Sequence, residues 1–143
     1  MKLAPTSILP GEKTCKYQPS IKLPEPFARN VFKKEDVTNL SESSRKYVLS
    51  IVENSNYGFF VPYEPGKNTI QYGDNGGAQW TGASVDPYKN IMYVTASNIP
   101  WIVGVQASQN QYGGKLQYTD KKPIPLRDLD GYPGVKPPWG TLT

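Results

Sequence analysis

Between Leu40 and Asn56 the chain reads "LSESSRKYVLSIVENSN", with apolar side chains at Leu40, Tyr47, Val48, Ile51 and Val52. Those intervals wind onto one side of a helix. Ser41 offers a cap oxygen and Glu42 an acid in the first turn, so a helix is predicted over about residues 41–53. It is expected to be the only substantial helix, with Leu40, Val48, Ile51 and Val52 facing a packing surface. That surface is needed, because an isolated helix of this length is marginal in water. Ahead of it, Pro5, Pro10, Pro19, Pro24 and Pro26 punctuate residues 1–35 and preclude a long helix there.

Beyond Gly58 the period drops towards two. "GFFVPY", "NTIQYG", "QWTGASVD", "NIMYVTAS", "WIVGV" and "KLQYT" each have the length and β-branched or aromatic content of a short strand. Within "QWTGASVD", Trp80, Gly82 and Ser84 share one face and Thr81, Ala83 and Val85 the other. Residues 80–86 are predicted to pair antiparallel with residues 90–96 through the turn Asp86-Pro87-Tyr88-Lys89-Asn90. A second proline-rich stretch leads into "GYPGVKPPWGTLT", whose last residues read as a new strand. Short strands divided by turn signals fit a sandwich, barrel or propeller. No clean repeat of propeller-blade length is visible.

Composition narrows the chemistry. The 143 residues suffice for one ordinary domain. Gly 13 and Pro 14 mark a loop-rich chain, while Tyr 10 and Trp 3 argue against disorder. The absence of histidine removes Ser-His-Asp and Cys-His catalysis. With Cys15 as the only cysteine, no internal disulfide forms and a zinc site has no ligand set. The net charge of +4 comes from dispersed lysines rather than a dense basic run, so a solvated basic surface is expected and no nucleic-acid partner. No apolar run is long enough to span a membrane, and the opening Met1-Lys2-Leu3-Ala4-Pro5 lacks the apolar centre of a signal peptide.

Four segments in order then carry a family likeness. "GGAQWTGASVDPYKNIMYV" resembles the Gly-Gly-x-x-Trp-x-Gly-x-x-x-Asp-Pro hairpin of the pyrroloquinoline quinone (PQQ)-dependent dehydrogenases, nearest the glucose/quinate type. "PGEKTCKYQPSIKLPEPFAR" is similar to a segment following that family's cofactor-contact blades. "LSESSRKYVLSIVENSNYGFFVPYEPGKNTI" resembles its helical insertion and next strand, and "DGYPGVKPPWGTLT" its Pro-x-Trp-Gly blade opening. The resemblance implies an eight-bladed β-propeller with PQQ and a calcium or similar ion at the axis, oxidising alcohols or sugars in the periplasm. A blade takes roughly 40–50 residues, so the chain is expected to be an internal fragment. The expected fold is mainly β, a partial propeller of one to two antiparallel blades with one inserted α-helix and long Pro-rich loops. Residues 1–57 would form the extended segment and helical insertion, and residues 58–143 the blade segment of a single incomplete domain.

The same resemblance supplies the candidate site. Gly76 and Gly77 would let backbone approach the cofactor, Gln79 would present an amide to the quinone, and Trp80 would pack by the pocket or in the blade core. From spacing alone the glycine pair reads as a plain turn. Asp86-Pro87 reads as turn chemistry, not as a catalytic carboxylate. Asp74 stands nearer the glycines, and Lys136 and Trp139 either border the axis or make a rigid blade entry. Asp120, Asp128 and Asp130 lack a calcium-loop pattern. No catalytic residue or metal ligand of the family has a match in the chain, so those groups and the calcium ligands are expected elsewhere, with the remaining blades and a sugar or polyol as partners. The fragment would be inactive alone. Two other readings stay open: a non-enzymatic propeller-derived scaffold, and one chain of a split quinoprotein.

Overall fold

The computed structural model describes residues 1–20, 22–23, 25–74, 77–78, 82–108 and 118–143. Strands β1 (Lys2–Leu3) and β2 (Tyr17–Gln18) make a small antiparallel pair within the proline-rich start. A 3-10 turn at Lys34–Asp36 precedes α1 (Glu42–Glu53). Ser41 caps α1 as its sequence requires, its hydroxyl accepting from the Ser44 amide at 3.1 Å. At the other end Asn54 donates its side-chain amide to Ser50 O. The strands follow as β3 (Ser55–Tyr57), β4 (Asn68–Gln71), β5 (Ala83–Asp86), β6 (Ile91–Ser97), β7 (Trp101–Val103), β8 (Val105–Ala107), β9 (Tyr118–Asp120), β10 (Ile124–Pro125) and β11 (Gly140–Leu142).

The described strands form two larger sheets and two small pairs. One sheet runs β10-β7-β4-β3, with β3 parallel to β4 and the other pairs antiparallel. The second runs β11-β6-β5, antiparallel throughout. No sheet closes into a barrel. This mainly stranded architecture with one α-helix fits a partial β-propeller.

The core gathers at the first sheet. Val48 and Val52 of α1 pack with Ile70 of β4 and with Phe32, Val37, Tyr72, Leu126 and Val135. All are nearly or wholly removed from water, and each aliphatic or aromatic side chain so buried is worth about 1.5–3 kcal/mol. Ser44 is the third buried residue of α1, one turn before Val48. The stripe therefore runs Ser44–Val48–Val52 with Ile51 beside it. Leu40, expected on it, precedes the helix and stays 49% exposed.

Three strand expectations need correction. "GFFVPY" forms no strand: Gly58 at φ 135°, Phe60 at φ 49° and Pro62 break the extended path. The strand there ends at Tyr57 and lies parallel to β4. "WIVGV" is cut in two at Gly104, where a Cβ would stand 3.2 Å from Lys67 O. Its halves serve different partners, β7 joining the core sheet and β8 pairing with β9. The hairpin pairs as expected from Ala83↔Val94 to Asp86↔Ile91, but β5 starts only after Gly82, whose φ of 67° no strand accommodates. Trp80 and Thr81, the start of the expected pairing, lie outside the described residues. Asp86 Oδ1 accepts from the amides of Tyr88 and Lys89, at 2.9 and 3.1 Å, which is the turn chemistry expected of it.

Candidate functional site

The β11-β6-β5 sheet ends in a corner built from backbone. The Ser97 amide donates to Gly77 O at 3.3 Å, and Ser97 stands opposite Gly140 in the β6–β11 ladder. Glycine thus flanks the end of β6 on both sides. Gly77 holds φ 56°, and no heavy atom of the described residues stands within 4 Å of the place a Cβ would take. Its glycine is required by the left-handed backbone, and no described residue fills the side a side chain would take. Of the expected site residues, Gly77 is the one described; Gly76, Gln79 and Trp80 lie outside the described residues.

A clamp behind this corner escaped the sequence reading. Asn98, 2% exposed, follows β6 directly. Its Oδ1 accepts from the Arg29 amide at 2.8 Å, its Nδ2 donates to Pro138 O at 3.3 Å, and its own amide donates to Trp139 O at 2.8 Å. Arg29 reaches across the same loop, Nη1 to Lys136 O at 3.1 Å and Nη2 to Pro137 O at 3.3 Å. Thr141 adds a bond from its hydroxyl to Phe27 O. The early segment around residues 27–29 is stitched onto residues 136–141 and the end of β6. The available signal was an arginine among lysines, since only a guanidinium forks onto two carbonyls.

Arg29 also touches the Tyr72 hydroxyl, which donates to Asp36 Oδ2 at 3.4 Å. Burial pushes the Tyr72 phenol up to about 12, against the lowering effect of Arg29. The phenol is therefore a neutral donor at physiological pH.

The other residues weighed from sequence fall as follows. Trp139 is half-buried, stacks on Tyr132 at 5.9 Å between ring centroids, and donates Nε1 to Val135 O at 2.7 Å. Its polar edge is thus spent on holding the loop. Lys136 is half-buried; its amide donates to Asp36 O and its carbonyl accepts from Arg29. Its ammonium takes part in neither ion pair found among the described residues, Lys34–Glu53 and Lys46–Glu42. Asp74 is exposed on a turn. Asp128 is buried and accepts from the amides of Asp130 and Tyr132. Among the described residues no group of three or more His, Cys, Asp or Glu side chains converges as a metal cage, and no helix is long and apolar enough to cross a membrane.

A family model, described as the PQQ glucose/ethanol/alcohol dehydrogenase β-propeller domain, matches residues 1–143. The chain belongs to that family. No curated protein and no solved structure matches it. Membership in the PQQ dehydrogenase family brings PQQ as the family's cofactor and a dehydrogenase-related role. The corner fits such a group in kind. PQQ is flat and carries carboxylates; among the described residues none crowds the Cβ side of Gly77. Lys136, in the loop that the clamp holds against the end of β6, brings a cationic side chain without a carboxylate partner among the described residues.

Proposed function

We propose that this chain forms one wall of the quinone site in a PQQ-dependent dehydrogenase that oxidises an alcohol group of a sugar or polyol, of the glucose/quinate type. The observation that carries the reading is Gly77, left-handed and uncrowded by any described residue on its Cβ side at the sheet end, in a chain matched along its length by the PQQ propeller model. PQQ supplies the two-electron acceptor for the alcohol carbon; the protein positions it. Gly76 and Gly77 give the ring system close approach to backbone, and Gln79 donates an amide hydrogen bond to a quinone oxygen without adding charge. Trp80 packs beside the pocket, and Lys136 offers positive charge to a carboxylate. The catalytic base and the calcium ligands come from other blades.

Those blades are the proposed partners, in an eight-bladed periplasmic ring. Support comes from the β11-β6-β5 sheet, where Val94 and Ala96 of β6 are buried but large apolar side chains stay exposed on both faces. Val85 and Met92 point to one side, and Ile91, Tyr93 and Leu142 to the other, with exposures from 39% to 68%. A sheet like this expects neighbours on each face. Residues 1–57 then serve as an insertion and 58–143 as the blade segment of an incomplete domain, inactive alone because an axial cofactor takes contacts from several blades.

The test is a quinone titration of the intact enzyme with Gln79→Ala. The affinity should fall by about 1 kcal/mol, the scale of one hydrogen bond. Unchanged affinity together with unchanged turnover would remove Gln79 from the site.

A further inference from the structure

A second cleft shares no lining residue with the glycine corner. Its volume is about 540 Å³, and residues 58–63, Glu12, Asn30 and residues 69–72 line it. That size lies within the range of small-molecule sites.

Three features of its wall point to a ligand. Thr69 is 3% exposed, lines the cleft, and its hydroxyl has no partner among the described residues. Buried hydroxyls are rarely left unpaired, since desolvation is then uncompensated. Phe60 holds a left-handed φ of 49° yet leaves 56% of its surface exposed, edge-on to Phe59 at 4.7 Å. A bulky residue held there is an outlier, and such strain gathers at binding sites. Glu12 is the one charged residue in the lining, and the Ser7 hydroxyl holds its carboxylate. Gln71 adds a carboxamide whose oxygen accepts from the Tyr63 hydroxyl at 3.4 Å.

The charge decides the class of ligand. Among the described residues the lining carries one carboxylate and no lysine or arginine; Lys2 stands over the Phe59 ring and Lys13 borders the adjoining cleft, so neither sign of charge dominates and a neutral ligand is favoured. Hydroxyl groups that donate and accept at neighbouring carbons suit the carboxylate of Glu12 and the carboxamide of Gln71 together. Aromatic rings suit the C–H face of a pyranose. Glu12, Phe60 and Pro62 also border an adjoining cleft of about 360 Å³, so a ring on Phe60 has room on either side.

We propose that this cleft binds a neutral saccharide, at a site distinct from the quinone corner. The intact protein is tested without PQQ, using methyl β-glucopyranoside and a neutral disaccharide, with binding followed by titration calorimetry and saturation-transfer NMR. This readout is independent of the quinone reading, which dye reduction by the PQQ-loaded enzyme tests separately. Saturable binding is expected, and Phe60→Gly and Gln71→Ala should each weaken it at least tenfold. Phe60→Gly keeps the measurement interpretable, because glycine adopts φ 49° freely and the variant should unfold at the same urea concentration as the parent or higher. Binding that is undiminished in well-folded Phe60→Gly overturns the proposal. So does the absence of saccharide binding, or tighter binding of an anionic or peptide ligand in the same cleft.

Discussion

Asn98→Ala tests the clamp directly. The substitution removes two side-chain hydrogen bonds, one from the Arg29 amide at 2.8 Å and one to Pro138 O at 3.3 Å. Each such bond contributes about 1 kcal/mol net. The two lost partners are not equivalent. Pro138 is exposed, so water replaces the donor to its carbonyl. The Arg29 amide is only part-open and is left poorly satisfied. The expected loss is therefore about 2–3 kcal/mol. Urea unfolding of the intact protein, followed by tryptophan fluorescence, reads it as a midpoint lowered by roughly 0.7–3 M at unchanged slope, taking a slope of about 1–3 kcal/mol per M. Arg29→Lys should also cost, because lysine cannot fork onto Lys136 O and Pro137 O, but less, because the main-chain amide keeps its bond to Asn98. The double variant should fall short of the sum, since both residues hold the same loop. A loss below about 0.5 kcal/mol for Asn98→Ala, a value ordinary for a surface change, would mean that the clamp does not hold the corner.

Tyr72 gives a pH signature. Its folded value is raised to about 12 from 10.0, so the unfolded chain loses the proton first. Its contribution is complete below pH 10 and is lost as pH rises towards 12; Tyr72→Phe should flatten the stability profile in that window. Gly77→Ala meets no described neighbour but must hold φ 56°, and should cost about 1–2 kcal/mol by urea unfolding. Gly134→Ala places a Cβ 2.8 Å from Leu126 Cγ, inside the core, and should cost about 1–3 kcal/mol by overpacking. An effect below that range at either glycine would refute the geometry argued there. Ser41→Ala should lose about 1 kcal/mol of cap energy, visible as fraying of α1 in amide exchange, while unchanged exchange would show the cap to be idle.

Local chemistry was legible wherever one short segment decided the outcome. The helix followed from its own stripe and cap, and the β5–β6 hairpin from alternation around Asp86-Pro87. What escaped were features set by distant partners. Leu40 obeys the helical spacing but sits before the cap, outside the packed turn. "GFFVPY" has strand composition, and its backbone is nonetheless bent by Gly58 and Phe60. Nothing local in "WIVGV" announces that Gly104 separates two sheets, because the obstacle, Lys67 O, lies far back in the chain. Arg29 and Asn98 are 69 residues apart, and neither motif contains both. Of the expected site, Gly77 shows its reason for being glycine in its φ, whereas the roles of Gly76, Gln79 and Trp80 remain a proposal carried by resemblance.

The placement of the core explains how a wall of this kind can be rigid on one side and open on the other. Phe32, Val37, α1, Ile70, Leu126 and Val135 close around one sheet, so early and late parts of the chain stabilise each other. The second sheet is covered only in part: Val94 and Ala96 are buried, while Val85, Ile91, Met92 and Tyr93 stay exposed. It is tied to the core by strand ends and loops: Asn98 with Arg29, Asn98 with Trp139, Thr141 with Phe27. These ties converge at the Gly77–Ser97–Gly140 end and leave Val85, Ile91, Met92 and Tyr93 uncovered. Fixing one end of a strand pair while leaving its faces exposed suits a blade element, whose faces stack on neighbours and whose end must hold its position against a ligand. Rigidity is needed only at that end, and the hydrogen bonds of Arg29 and Asn98 are concentrated there.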